Sequence, residues 1–132
     1  MKRSMTLLLF SLLSSAGLAN AATPESACAN LAEARTELVS MVAETNPAKL
    51  DDLKAKVHAA SDKLDADLAA MASGADAAKA AEFQPVWEAF KKTRETEIIP
   101  DVYAGKNNDA KAIATGIQAE RMAKMKAIMG CQ

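Results

Sequence analysis

Apolar residues recur through most of this chain at helical spacing. The series Leu50, Leu53, Val57, Ala60, Leu64, Leu68 and Met71 advances in steps of three and four, which draws one stripe along a helix. Shorter series of the same kind are Ala27, Leu31, Ala34, Leu38, Met41 and Val42; then Phe83, Val86, Trp87, Phe90 and Ile98; then Ala110, Ile113, Ala114, Ile117, Met125 and Ile128. No stretch alternates apolar and polar positions with period two, so no strand is expected. Thr23-Pro24-Glu25 reads as an N-cap, a first-turn proline and a first-turn acid, and Asn46-Pro47 repeats the device. Gly74 and Gly105 read as helix stops, and Asn107-Asn108-Asp109 offers a cap for the last segment. The pattern predicts helices from Pro24 to Thr45, Pro47 to Ser73, Asp76 or Phe83 to Ala104, and Asn108 to Met129. Pro85 and Pro100 fall within the third, which should start late or kink. Four rods of near-equal length on short turns predict an all-α fold, an antiparallel up-down-up-down four-helix bundle.

The start of the chain follows a different pattern. Lys2 and Arg3 precede an apolar run from Leu7 to Leu13, and small residues follow at Ala19-Asn20-Ala21. This is the layout of a secretory signal with an A-x-A cleavage site, and the run is too short to span a bilayer. The expected organisation is a signal peptide over 1–21 and a bundle domain over 22–132, periplasmic or secreted. Without Lys2 and Arg3 the chain carries 14 basic against 17 acidic residues. That balance argues against nucleic acid or an anionic membrane surface as partners, since both demand clustered positive charge. In an oxidising compartment the two cysteines, Cys28 and Cys131, are most simply read as one disulfide. They stand at the start of the first helix and just past the last, ends that an antiparallel bundle makes neighbours. The competing reading for Cys131 is a free reactive or metal-binding thiol.

Small exported bundles often carry haem, but the residues that would hold it are missing. There is no C-x-x-C-H for covalent attachment, and where the cytochrome c-prime family carries it the chain has only IMGCQ. Cytochrome b bundles take a histidine late in the fourth helix, and here the one histidine, His58, lies in the second, at the margin of its stripe. Met122, Met125 and Met129 invite a Cu(I) site, yet methionine at helical spacing is ordinary packing material. Taken with Ile117 at the centre of the fourth stripe, Met122 and Met129 fall off its line. No nucleophile with a base, phosphate loop or paired metal-ligand spacing is present. The expectation is a protein without cofactor, metal site or catalytic residue. The alternative is a haem- or copper-binding electron-transfer or metal-handling bundle.

Charge inside the apolar stripes carries the functional hint. Arg121 lies about 40° from Ile117 on a helical wheel of 100° per residue, and Arg94 bears the same relation to Phe90. Glu97 is expected to point inward too. Counting back from the turns sets Arg35, Arg94 and Arg121 within a turn or two of one layer. A buried guanidinium must be paired or it costs several kcal/mol. Glu97, Glu37 or Glu120 could pair with it, or the layer could accept a carboxylate or other small anion, which suits arginine's planar fork.

The stretch FQPVWEAFKKTRETEIIPDVYAGKNNDAKAIATGIQAERMAKMKAI resembles the second hairpin of the four-helix-bundle sensor domain of methyl-accepting chemotaxis receptors, the HlyB-like kind. The matching positions are Trp87, Phe90, Arg94, Gly105, Ala110 and Arg121, over roughly a third of the chain. The resemblance implies a periplasmic ligand-sensing bundle flanked by membrane helices and followed by a signalling coiled coil. Here the leading apolar segment reads as cleavable and the sequence ends at Gln132, so the expectation is a free-standing, non-enzymatic sensor-like module. Its candidate ligand contacts are Arg94, Arg121, Arg35, Glu97 and Trp87, and its ligand is a small anion or a partner protein. With no long exposed apolar stripe beyond the four seams, monomer or weak homodimer is expected.

Overall fold

A computed structural model describes residues 22–132; the signal segment expected over residues 1–21 lies outside them. The described chain is helical, with no strand among the described residues. The first two rods are single helices, α1 (Pro24–Ala43) and α2 (Leu50–Met71), the latter led in by a 3₁₀ turn at Pro47–Lys49. The third rod is α3 (Ala77–Thr93), a π-helical segment (Arg94–Ile98) and α4 (Ile99–Tyr103). The fourth is α5 (Asn107–Thr115) and α6 (Ile117–Met129). α1 packs along α2, α3 packs on α6, and α5 meets α1, α4 and the π-helical segment. No helix among the described residues is long and apolar enough to cross a membrane.

The first two rods form as their stripes dictate. Thr23 and Ser26 close a capping box at the start of α1, the Thr23 Oγ1 accepting from the Ser26 amide and the Ser26 Oγ from the Thr23 amide. All six residues of the α1 stripe are buried, and so is the α2 stripe apart from the half-buried Leu53. Asn46 caps the 3₁₀ turn through the Ala48 amide. The cap expected from Asn107-Asn108-Asp109 does not form; the Asn107 Nδ2 donates instead to the carbonyls of Val42 (2.9 Å) and Glu44 (2.8 Å). It thereby satisfies acceptors that the end of α1 leaves without intrahelical partners.

The third rod starts at Ala77, the earlier of the two expected positions, and α3 runs through Pro85. The irregularity falls just before Pro100, which has no N–H to give and whose ring would crowd the carbonyl four residues back. A π turn resolves this by closing bonds over five residues, the Ile99 amide donating to the Arg94 carbonyl. The wider turn spends one more residue before returning to the same face. Ile98 is therefore buried and Glu97 is turned out to solvent, which corrects the inward Glu97 expected from a regular helix.

The fourth rod is broken rather than continuous. At Gly116 (φ −95°, ψ −109°) a Cβ would sit 2.9 Å from the Ala112 carbonyl oxygen, closer than such contacts allow. The break rotates the second half of the rod. Gln118, Met122, Met125 and Met129 form its buried face, while Ile117, expected at the centre of the stripe, is 45% exposed. Gly130 then ends α6 in the left-handed region (φ 71°), with the Cys131 amide donating to the Lys126 carbonyl at 2.8 Å. That reversal brings Cys131 to Cys28, and the two form a disulfide with Cα atoms 5.6 Å apart.

Candidate functional site

Trp87, Phe90, Thr93 and Arg94 project from one face of the third rod into the interior. Trp87 is fully buried, and a buried indole needs an acceptor. Its Nε1 donates to the Asp65 carboxylate at 2.7 Å, and the ring stacks on Phe90 with centroids 5.6 Å apart. Lys91 covers the ring from 5.5 Å and bonds the same Asp65 oxygen at 2.9 Å. Partial burial opposes the charge on Lys91, but the hydrogen bonds and charges of Asp65 and Glu88 outweigh it and raise the ammonium pKa. Every polar handle of the tryptophan is thus engaged inside the fold.

Arg94 is only 3% exposed. Its Nε and Nη2 both donate to Glu95 Oε1, at 2.9 and 2.8 Å, and its Nη1 donates to Ser61 on α2. The same Glu95 oxygen lies 2.8 Å from His58 Nε2. The partner of the buried guanidinium is therefore Glu95, and none of Glu97, Glu37 or Glu120 plays that part. The one histidine, placed by the sequence at the margin of its stripe, closes the outer side of this group. Burial works against the charged form of Glu95, but hydrogen bonds from Arg94 and His58 and their positive charge hold its carboxyl below the usual range. A depressed carboxyl stabilises the fold above its unfolded pKa and ceases to do so as pH falls through the folded value. The urea midpoint is therefore expected to drop on acidification below about 4.5, and the drop should shrink in Glu95→Gln. An unchanged pH profile in that variant would show that Glu95 carries no part of the acid sensitivity.

Arg121 is half-buried at the edge of the α6 face. Its Nη1 donates to Thr93 Oγ1 at 2.6 Å and to Gln118 Oε1 at 2.9 Å, both neutral oxygens. Gln118 is itself fixed, because its Nε2 donates to the Phe90 carbonyl. Among the described residues no carboxylate pairs with Arg121 or with Arg35. Arg35 is exposed on α1, not buried in a layer with the other two as the turn counting suggested. It stands between two cavities on the seam of α1 with the fourth rod. One, of about 400 Å³, lies over the disulfide with Glu25 and Lys126 on its walls. The other, of about 260 Å³, is lined by Leu38, Val39, Phe90, Ala114 and Met122, with Gln118 as a polar wall.

Of the five candidate residues, Trp87 and Arg94 are committed to internal partners and Glu97 faces solvent away from them. Sequence reasoning missed Ser61, Glu95, Asp65 and Gln118. Ser61 and Gln118 had a readable signal, since each is a polar residue lying among the apolar positions of its own helix; Glu95 had none, because residues adjacent in sequence do not face each other on a regular helix. Among the described residues no group of three or more His, Cys, Asp or Glu side chains is gathered as metal ligands would be.

Comparison with protein-family models, with curated proteins and with solved structures found no match to this chain.

Proposed function

We propose that this chain is an exported, non-enzymatic four-helix bundle that acts as a sensor-like module binding a small organic anion. The up-down-up-down course belongs to the same proposal. It is supported by paired cross-rod bonds that run in opposite order along the chain, Asn30 with Asp67 and Glu33 with Lys63, then Ser61 with Arg94 and Asp65 with Trp87. Export is supported by the disulfide, which persists in oxidising compartments.

One observation carries the anion-binding reading. Of the three arginines among the described residues, only Arg94 is neutralised by an acid; the half-buried Arg121 and the exposed Arg35 stand at seams with no carboxylate partner among the described residues. A guanidinium pinned by neutral oxygens, as Arg121 is, keeps its charge and further N–H donors available for an anion.

The test is thermal shift against a panel of small organic acids such as malate, succinate, citrate and benzoate. An acid at 100 times its Kd should add about 2.7 kcal/mol, which for a domain of this size raises Tm on the order of 10 °C. The shift should vanish in Arg121→Gln or Arg35→Gln, whichever holds the anion. If no acid produces a shift that depends on either arginine, the bundle is not a receptor for small anions.

A further inference from the structure

The geometry points to Arg35 and the cavity beside it as a site for an amphipathic monoanion, an aliphatic acid with a short hydrocarbon tail. The inference rests on the anion-binding reading above and adds which arginine is used and what class of ligand it takes.

The cavity is divided by chemistry. Its walls are apolar at Leu38, Val39, Phe90, Ala114 and Met122, and it contains no acidic residue. Val39 leaves 52% of its surface open to water, an unusual exposure for a large aliphatic side chain in this fold. The polar side chains on its walls are already tied into the fold, Gln118 Nε2 donating to the Phe90 carbonyl, Gln118 Oε1 accepting from Arg121 and Thr115 Oγ1 donating to the Lys111 carbonyl, so the walls are poor in groups placed to hold a polar guest. Arg35, exposed on α1, is the one charged residue of its lining and has no carboxylate partner among the described residues. A wholly polar acid would satisfy Arg35 and leave the apolar walls wet; a neutral hydrocarbon would cover the walls and leave the cation unmatched. A molecule that is charged at one end and apolar at the other matches both. The volume, about 260 Å³, lies just under the roughly 300–1,000 Å³ usual for ligand pockets, which suits a short tail.

The protein carries a reporter for this site. Phe90 lines the cavity, and the single tryptophan, Trp87, stacks on its ring. A hydrocarbon tail lying against Phe90 will shift the Trp87 emission, whereas an anion held only at Arg121 or over the disulfide will not.

Octanoate, used below its micellar concentration, is the probe, with acetate and octan-1-ol as comparisons. Titration of the full exported chain should shift Trp87 emission saturably with octanoate. Acetate should bind more than about a hundredfold more weakly, since each buried methylene contributes several-fold in affinity. Arg35→Gln should weaken octanoate by about tenfold or more while leaving octan-1-ol unchanged. Val39→Glu, at an exposed position, should abolish octanoate binding without altering thermal stability. The inference is overturned if octanoate leaves Trp87 emission unmoved, if Arg35→Gln binds it as wild type does, or if acetate binds equally well. A malate or citrate shift that depends on Arg121, alongside any of those results, would retain the broader anion-binding reading and remove only this site.

Discussion

Replacing Cys28 and Cys131 together by serine is expected to cost the fold about 2–4 kcal/mol and to lower Tm on the order of 10 °C. The bridge joins residues 103 apart in sequence, and the chain-entropy model puts the denatured-state constraint from a loop near that size at roughly 4.7 kcal/mol. The lower figure is expected because denatured chains retain structure that weakens the constraint. The loss is a large fraction of the roughly 5–15 kcal/mol that separates folded from unfolded states in small domains. It should also be local in its first effects. Two cavities lie on the seam of α1 with the fourth rod, and the bridge clasps the end of that seam. Hydrogen exchange of the Ala123–Met129 amides should therefore rise in the serine variant before that of α2. Calorimetry with and without reductant on the wild-type chain measures the same quantity. Coincident transitions would mean that packing alone holds the ends together.

The parts of this fold that could be read in the sequence are those in which the helix is regular. Leu31, Leu38, Leu64 and Leu68 are buried where a repeat of three and four places them, because α1 and α2 keep one hydrogen-bond pattern from end to end. The cysteines could be paired because one opens the first helix and the other follows the last, and the fold brings those two ends together. Errors entered wherever the pattern changed register. A wheel drawn through Gly116 puts Ile117 inside and Met122 and Met129 outside, and the break reverses all three. A wheel drawn through residues 94–98 turns Glu97 inward along with Ile98, and the π turn keeps only Ile98 inside. Gly116 and Pro100 were visible, but how many degrees each would turn the helix depends on the packing of its neighbours. The candidate site inherits the same division. Arg94 could be placed inside from its offset to Phe90, whereas its acid could not be named, since Glu95 and His58 come together only across two rods.

The pairing at Arg94 leads to a prediction whose asymmetry is its test. Glu95→Ala is expected to destabilise the protein by about 3 kcal/mol, because it leaves a guanidinium that is only 3% exposed without its counter-charge. The figure sits at the low end of the range for a broken buried pair, since the Glu95 side chain is 38% exposed and water can enter in its place. Arg94→Met should behave differently. It removes the charge that is costly to bury and keeps most of the side-chain volume, and exchanging a buried ionic group for an apolar one of similar size is often neutral or stabilising. The groups it releases are not stranded: Glu95 retains His58 and solvent, and the Ser61 hydroxyl still donates to the Val57 carbonyl at 3.1 Å. The double variant Arg94→Met/Glu95→Ala should accordingly recover most of what Glu95→Ala loses, a coupling that a double-mutant cycle of urea midpoints reads directly. If Arg94→Met instead proves as unstable as Glu95→Ala and the double variant recovers nothing, the guanidinium contributes net stability through its three hydrogen bonds. The ion pair would then be a structural anchor for the π turn, and not a buried charge that the fold merely tolerates.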